Sequence, residues 1–197
     1  FPEEGKPYFG GRGFNTWYLY RHLPWNTDPL SLENILVFSC GFLTGSSAPG
    51  SARMHINALS PLTGILGSSN IGGYAGAWLR SCDIASVIIT GAAAKPVYLS
   101  ISKGNVQLSD ATPLWGKDTF ETREKLVCAH PGKKIKSLVI GPGGENRVRF
   151  AAIMSGKDHA AGRTGLGAVM GSKNLKAVVI EKGSHKHFPS DTAIQKN

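Results

Sequence analysis

The sequence predicts an α+β fold in which mixed and antiparallel sheets are packed with helices. Strand-like and helix-like segments are mixed without the regular strand–helix rhythm of a doubly wound parallel sheet. One connection is a hairpin: Val97–Ile101 and Val106–Leu108 alternate around Lys103-Gly104, with Val97, Leu99 and Ile101 on one face. A Gly-Arg turn also opens a helix and then an apolar strand twice. Gly11-Arg12-Gly13 does so near the start, and Gly162-Arg163-Thr164-Gly165 does so ahead of Ala177–Ile180, a pattern compatible with an internally duplicated domain.

The elements follow in order. Residues 13–22 read as a short helix that Pro24 ends. Ile35–Cys40 is a buried strand, and Arg53–Ala58 alternates as a second. Gly72–Ser81 reads as a helix reached through glycines, and Ser86–Thr90 as a β-branched strand. Asp118 with Glu121 three residues on is a capping pattern, so a helix spans Asp118–His130 and stops at Pro131-Gly132. Ser137–Ile140, Val148–Met154 and Ala177–Glu181 are further strands, and Ala160–Gly171 is a Gly/Ala-rich helix or set of helical turns. Beyond Gly183 the composition turns polar. Residues 1–183 therefore read as the domain and 184–197 as a tail or linker, in which His185 and His187 sit as solvated tail residues.

The chain has 197 residues, enough for one domain with a sizeable core. No stretch reaches the roughly 18–20 apolar residues that span a bilayer, and the opening Phe-Pro-Glu-Glu has no signal-peptide pattern. Twenty-two Lys+Arg against 13 Asp+Glu give a net charge of +9, which favours an anionic partner such as nucleic acid or a phosphate-bearing ligand. The three cysteines, Cys40, Cys82 and Cys128, are far apart and odd in number. They form no CxxC pair, so they assemble neither a zinc site nor an iron–sulfur cluster by themselves. Each reads as a buried small apolar side chain in a reducing compartment.

Several segments bring glycine, small polar residues and a cation together: Gly10–Gly13, Thr44–Arg53, Gly67–Gly73 and His159–Gly167. Glycine lets backbone approach a ligand closely, consecutive N–H groups make an anion nest, and arginine offers phosphate a planar fork. Taken singly, each is more simply a turn or a surface cation. No GxxxxGK[ST] occurs, and GGRGF is no dinucleotide fingerprint because no strand precedes it. His55, His130 and His159 have no adjacent nucleophile or carboxylate pattern, so no catalytic residue is assigned.

The ordered motifs carry further. Thr44-Gly-Ser-Ser-Ala-Pro-Gly-Ser-Ala-Arg53, Ser60-Pro-Leu-Thr-Gly64 and Ser69-Asn-Ile-Gly-Gly73 resemble the aldehyde ferredoxin oxidoreductase family. So do Gly91-Ala-Ala-Ala-Lys-Pro-Val-Tyr98, Leu114-Trp-Gly-Lys-Asp118, Gly141-Pro-Gly-Gly-Glu-Asn146 and the block from Ala161 to Ala177. The resemblance runs from about Gly10 to Ile180 and implies an amino-terminal domain on which two pterins lie. It implies a tungsten or molybdenum held by two pterin dithiolenes (tungstopterin), beside a [4Fe–4S] cluster bound by downstream domains of the same polypeptide. The family oxidises aldehydes to acids and passes electrons to ferredoxin. By the same resemblance, Arg53 binds a pterin phosphate, and the Asn70 and Ala160 carbonyls hold a magnesium ion joining two phosphates. Gly72, Gly73, Gly162 and Arg163 lie against the pterins and phosphates, with Arg12 among the cofactor-binding residues. His159 stands where the family often has arginine, and a neutral imidazole there weakens anion binding. The family usually has a strand pair before the GGRG turn, and here only Phe1–Phe9 precede it.

The resemblance thus implies a cytoplasmic oxidoreductase of which this chain is one inactive part, with no nucleic-acid or membrane partner. It leaves open the substrate, the metal and whether the enzyme is a homo-oligomer. The alternatives are a truncated remnant that binds no cofactor and a basic nucleic-acid-binding module, the latter without interleaved aromatics or a recognition helix.

Overall fold

A computed structural model describes residues 3–184; of the tail expected over 184–197, the residues from 185 onward, with His185 and His187, lie outside the described residues. After a 3-10 turn at Glu3–Tyr8 the chain forms α1 (Gly11–His22), β1 (Leu36–Cys40), β2 (Met54–Leu59), β3 (Leu66–Ile71), α2 (Ala75–Ser81) and β4 (Ser86–Ile89). The hairpin β5 (Val97–Ser102) and β6 (Asn105–Asp110) follows. After it come α3 (Thr119–Ala129), β7 (Ile135–Val139), α4 (Pro142–Glu145), β8 (Ile153–Ser155), β9 (His159–Ala161), α5 (Leu166–Ser172) and β10 (Leu175–Glu181).

The strands make two sheets, in the orders β3-β2-β1-β4 and β6-β5-β10-β7-β8-β9. Every pairing is antiparallel except β5 with β10, which is parallel. The fold is therefore α+β with one mixed and one antiparallel sheet. The inner faces of both sheets close on α2 and α5 in one core that includes Phe38, Ile56, Leu79, Leu138, Met170 and Val178. Outside, α1 covers the first sheet through Phe14, Leu19, Ile35 and Val37. On the second sheet, Leu126 of α3 packs with Leu114, Val139 and Val179. The layers thus run helix, sheet, helix pair, sheet, helix; the outer helices α1 and α3 bury one face, whereas β1, α5 and nearly all of β10 are buried throughout.

The two halves repeat one framework of strands and an inner helix. The unit β1-β2-β3-α2-β4 has the strand order and handedness of pairing of β7-β8-β9-α5-β10. His55 faces Asn70 across β2 and β3 as Met154 faces Ala160 across β8 and β9. Two consecutive left-handed residues precede each inner helix, Gly73-Tyr74 and Thr164-Gly165. Each helix then runs seven residues and ends before a left-handed Asp83 or Asn174. The strand junctions agree as well: Cys40 N–H donates to the Ala85 carbonyl (2.9 Å) and Ile140 N–H to that of Lys176 (3.1 Å). The turn into the second helix is longer by one residue, Arg163, whereas the first hairpin is the longer one: β2 and β3 have six residues each, β8 and β9 three. In each unit a helix, α1 or α3, precedes the first strand.

Several elements differ from the sequence reading. Val148–Met154 is strand only from Ile153; Val148–Phe150 form a turn, closed by Ala151 N–H to the Val148 carbonyl, because Val148 N–H is already taken by Gly143. Gly67–Gly73, read as a loop, holds most of β3: Asn57 donates to the Gly67 carbonyl and the backbone pairs with β2. Ala160 and Ala161 belong to β9, and the helix begins only at Leu166. Cys40 and Cys82 are buried as expected, whereas Cys128 is exposed on α3.

Candidate phosphate-binding hollow

The repeat brings the strands β3 and β9 beside each other, one from each half. Where they meet, Arg12, Arg53, His55, Ser68, Ser69, Asn70, Ala160, Gly162 and Arg163 line a hollow of about 570 Å³. Arg12 arrives from the first turn of α1, Arg53 and His55 from the start of β2, and Arg163 from the turn into α5. No carboxylate lines the hollow, so its arginines have no local counter-charge from the lining.

Asn70 is the centre of its polar contacts. Its side-chain oxygen accepts from Arg53 Nε, its carbonyl accepts from Arg53 Nη2 at 3.4 Å, and its amide nitrogen lies 3.0 Å from His55 Nε2. Burial, and then the positive charges of Arg12 and Arg53, hold the His55 imidazole below its ordinary pKa, so it is neutral at pH 7. Two buried side-chain atoms here have no hydrogen-bond partner, His55 Nδ1 and Ser155 Oγ.

The glycines mark close approach. A Cβ at Gly72 would stand 3.1 Å from His159 Nδ1 and 3.3 Å from Arg53 Nη1. Gly73 is left-handed, and a Cβ there would meet Ser155 Oγ at 2.6 Å. Gly162 has open space on its Cβ side, with only the Ala160 methyl within 4 Å. Ser60 Oγ donates to the Thr164 carbonyl at 2.8 Å, tying the turn that carries Arg163 to the first half.

The residues picked out in the sequence thus stand around one place. Arg12, Arg53, Asn70, Ala160, Gly162 and Arg163 line the hollow, and Gly72, Gly73 and His159 sit beside Arg53 at its margin. His55 and Ser155 were passed over. For His55 the signal was present, because alternation along β2 puts Arg53 and His55 on one face. For Ser155 no pattern marks it, since it reaches Gly73 only through the folding of β8 against the first half. His130 is remote: it is buried beside Tyr98, with Nδ1 2.9 Å from the Leu126 carbonyl, and serves the outer core of α3.

The glycine turns of this duplicated α+β domain thus converge on a cationic hollow. The profile of the aldehyde ferredoxin oxidoreductase N-terminal domain matches residues 2–182, and the chain belongs to that family. It is 47% identical over 181 residues to a tungsten-containing aldehyde ferredoxin oxidoreductase of Pyrococcus abyssi, covering 91% of this chain and 30% of the relative. It is 42% identical over 194 residues to an aliphatic sulfonate oxidoreductase WOR-like subunit of Pyrococcus furiosus, covering 91% of this chain and 31% of that one. Among solved structures, the active site complex BamBC of benzoyl coenzyme A reductase superposes with a TM-score of 0.89 at 36% identity, over 93% of this chain and 28% of that chain. The chain therefore spans about 30% of the length of these relatives. Among the described residues, no helix is long and apolar enough to cross a membrane.

Proposed function

We propose that this domain grips the phosphate ends of two pterins around one magnesium ion, as the base of a tungsten- or molybdenum-pterin oxidoreductase. In this reading the whole polypeptide oxidises aldehydes to carboxylic acids in the cytoplasm and passes electrons to ferredoxin through a [4Fe–4S] cluster in its further domains. The observation that carries the reading is the internal repeat. Asn70 and Ala160 hold equivalent places in the two halves, side by side across the strands β3 and β9, at a hollow lined by Arg12, Arg53 and Arg163.

A two-fold site suits a ligand with two similar ends. Each phosphate carries a charge of about −1.5 to −2, and the three guanidiniums with one Mg²⁺ would more than offset the two together. The donor set fits: the Asn70 and Ala160 carbonyl oxygens would hold magnesium, a cation that takes oxygen donors. The arginines come from different places: Arg12 from the first turn of α1 and Arg53 from just before β2, where the second half has Ala152, whereas the second half carries Arg163 as the extra residue of its turn. Gly162 leaves room for a pterin to approach the backbone, whereas Gly72 and Gly73 let the Arg53, His159 and Ser155 side chains pack against the chain, with His159 as a polar edge beside Gly72.

When bound, the pterin-held metal supplies the two-electron redox chemistry. The residues of this domain bind, orient and neutralise. Metal and pterin analysis of the intact protein from tungsten- and molybdate-replete cells tests the reading; stoichiometric metal with pterin is expected, and an empty protein would refute it. In the same preparation Arg53→Ala is expected to lower pterin retention about 10- to 100-fold, the equivalent of losing one charge-assisted phosphate contact.

A further inference from the structure

We propose that His55 is a positioning residue of the anion hollow: by accepting from the Asn70 side-chain amide it fixes Asn70, and through Asn70 it fixes the Arg53 guanidinium. The proposal rests on the hollow being a phosphate site.

The orientation follows from donor chemistry. Arg53 Nε only donates, so the Asn70 oxygen faces Arg53 and the Asn70 nitrogen faces His55. An amide nitrogen only donates, so His55 Nε2 accepts and the ring proton sits on Nδ1. The proton on Nδ1 is then a buried donor without a partner among the described residues. Such a cost is tolerated where the other face of the group has a task. The task is register: His55 and Asn70 are directly opposed across β2 and β3, so the imidazole reaches the amide without bending either strand.

The second half has no such relay. Met154, Ala160 and Ala152 occupy the places of His55, Asn70 and Arg53. Its cation, Arg163, sits in a turn, and the Arg163 carbonyl accepts from the Thr164 hydroxyl. The two phosphate positions are thus held differently, one by a guanidinium locked through two neighbours and the other by a more freely placed one. A fixed cation loses less side-chain entropy when an anion arrives.

The test uses the full chain prepared without cofactor, with selectively labelled histidine and arginine, and inorganic pyrophosphate with Mg²⁺ as the probe. Nitrogen chemical shifts are expected to show His55 protonated on Nδ1, and the Arg53 Nε–H resonance to be resolved and protected. His55→Leu should abolish that protection and lower pyrophosphate affinity about tenfold, whereas His55→Gln, which keeps an acceptor near the Nε2 position, should restore most of both. Arg53→Ala/His55→Leu should bind no more weakly than Arg53→Ala. An Nε2–H tautomer, an unprotected Arg53 in the parent, or additive losses in the double variant would overturn the relay. A parent that binds no pyrophosphate overturns the phosphate reading instead, and the Arg53 resonance still decides whether His55 orders the guanidinium.

Discussion

The two halves share a topology and spend their polar groups in opposite ways. In the first, His55, Asn70 and Arg53 line the hollow, and three positions elsewhere are small: Gly45, which is exposed, Ala85, half-buried, and Cys82, buried. In the second, Met154, Ala160 and Ala152 take the first three places, Arg163 brings the charged side chain to the hollow, and the counterparts of the three small residues are Glu145, Lys176 and Lys173. Lys176 and Glu145 form a buried ion pair; Lys176 also donates to the Lys117 carbonyl, and Glu145 accepts from Gly116 N–H. Lys173, 2% exposed, donates to the carbonyls of Asn34 (2.5 Å), Gly91 (3.0 Å) and Leu32 (3.4 Å), reaching across to the first half. Duplication supplied two copies of a frame; one became the grip and the other the anchor.

The largest expected effect tests the anchor. Glu145→Gln leaves the Lys176 ammonium buried without its counter-charge and should cost about 3–5 kcal/mol of unfolding free energy. Pairing it with Lys176→Met should restore most of the loss, because an apolar side chain then takes the buried place with no charge to compensate. Urea denaturation of the single and double variants checks both. A single variant within ~1 kcal/mol of the parent would show that the second half is not tied in this way.

Next in size is a matched pair of glycines. Gly76 and Gly167 hold the same place in α2 and α5. A Cβ at Gly76 would stand 3.0 Å from the Ala52 carbonyl oxygen, and one at Gly167 would stand 2.5 Å from that of Ala152. Overpacking of this kind costs about 1–3 kcal/mol, and Gly167→Ala should fall at the upper end with Gly76→Ala below it. Equal shifts in thermal midpoint would mean that the two helices seat equally closely, against the distances.

Much of this was legible in the sequence and some was not, for physical reasons. The elements with a period or a cap could be read directly: β1 as an apolar run, the β5–β6 hairpin from its alternation, α3 from Asp118. β3 could not, because Leu66–Ile71 is half glycine and serine, and its strand character comes from pairing with β2 rather than from propensity. Val148–Phe150 has strand composition, but the backbone is committed to the turn after α4. The faint echo of Gly-Arg turns was real as a repeat, yet it pointed at the wrong correspondence: α1 matches α3, and the turn into α5 matches the turn into α2. In the site, glycine and arginine announce themselves by type, whereas the His55–Asn70 opposition exists only once the register of β2 and β3 is set.

A smaller effect sharpens the anchor through pH. Burial pushes the Lys173 ammonium down to about 8, against an ordinary value near 10.5. Between those values the unfolded chain binds more protons than the folded one, so stability attributable to Lys173 rises with pH from about 8 to 10.5 and is lost as pH falls through the folded value. The slope is at most ~1.4 kcal/mol per pH unit, and the three carbonyl acceptors, which favour the charged amine, reduce it. Lys173→Met should flatten the pH dependence of the thermal midpoint in that window relative to the parent. An unchanged profile would place the titration elsewhere.

The smallest effect separates the outer helices. Asp118 caps α3, accepting from Phe120 N–H and Glu121 N–H at 2.8 Å each, so Asp118→Ala should cost about 1 kcal/mol. Its counterpart at the start of α1 is Gly10, with no side-chain cap. The capping preference argues that Gly10→Asn should stabilise α1. The backbone argues otherwise: Gly10 has φ 75 and ψ −166, a region essentially reserved for glycine, and it bridges to Gly41. Strain there costs about 1–3 kcal/mol, more than a new cap returns. Gly10→Asn is therefore expected to lower the thermal midpoint, while Asp118→Asn, in extended backbone, leaves it nearly unchanged. A stabilised Gly10→Asn would mean that the start of α1 is free to relax. Arg12, two residues on, would then owe its place at the hollow to something other than this turn.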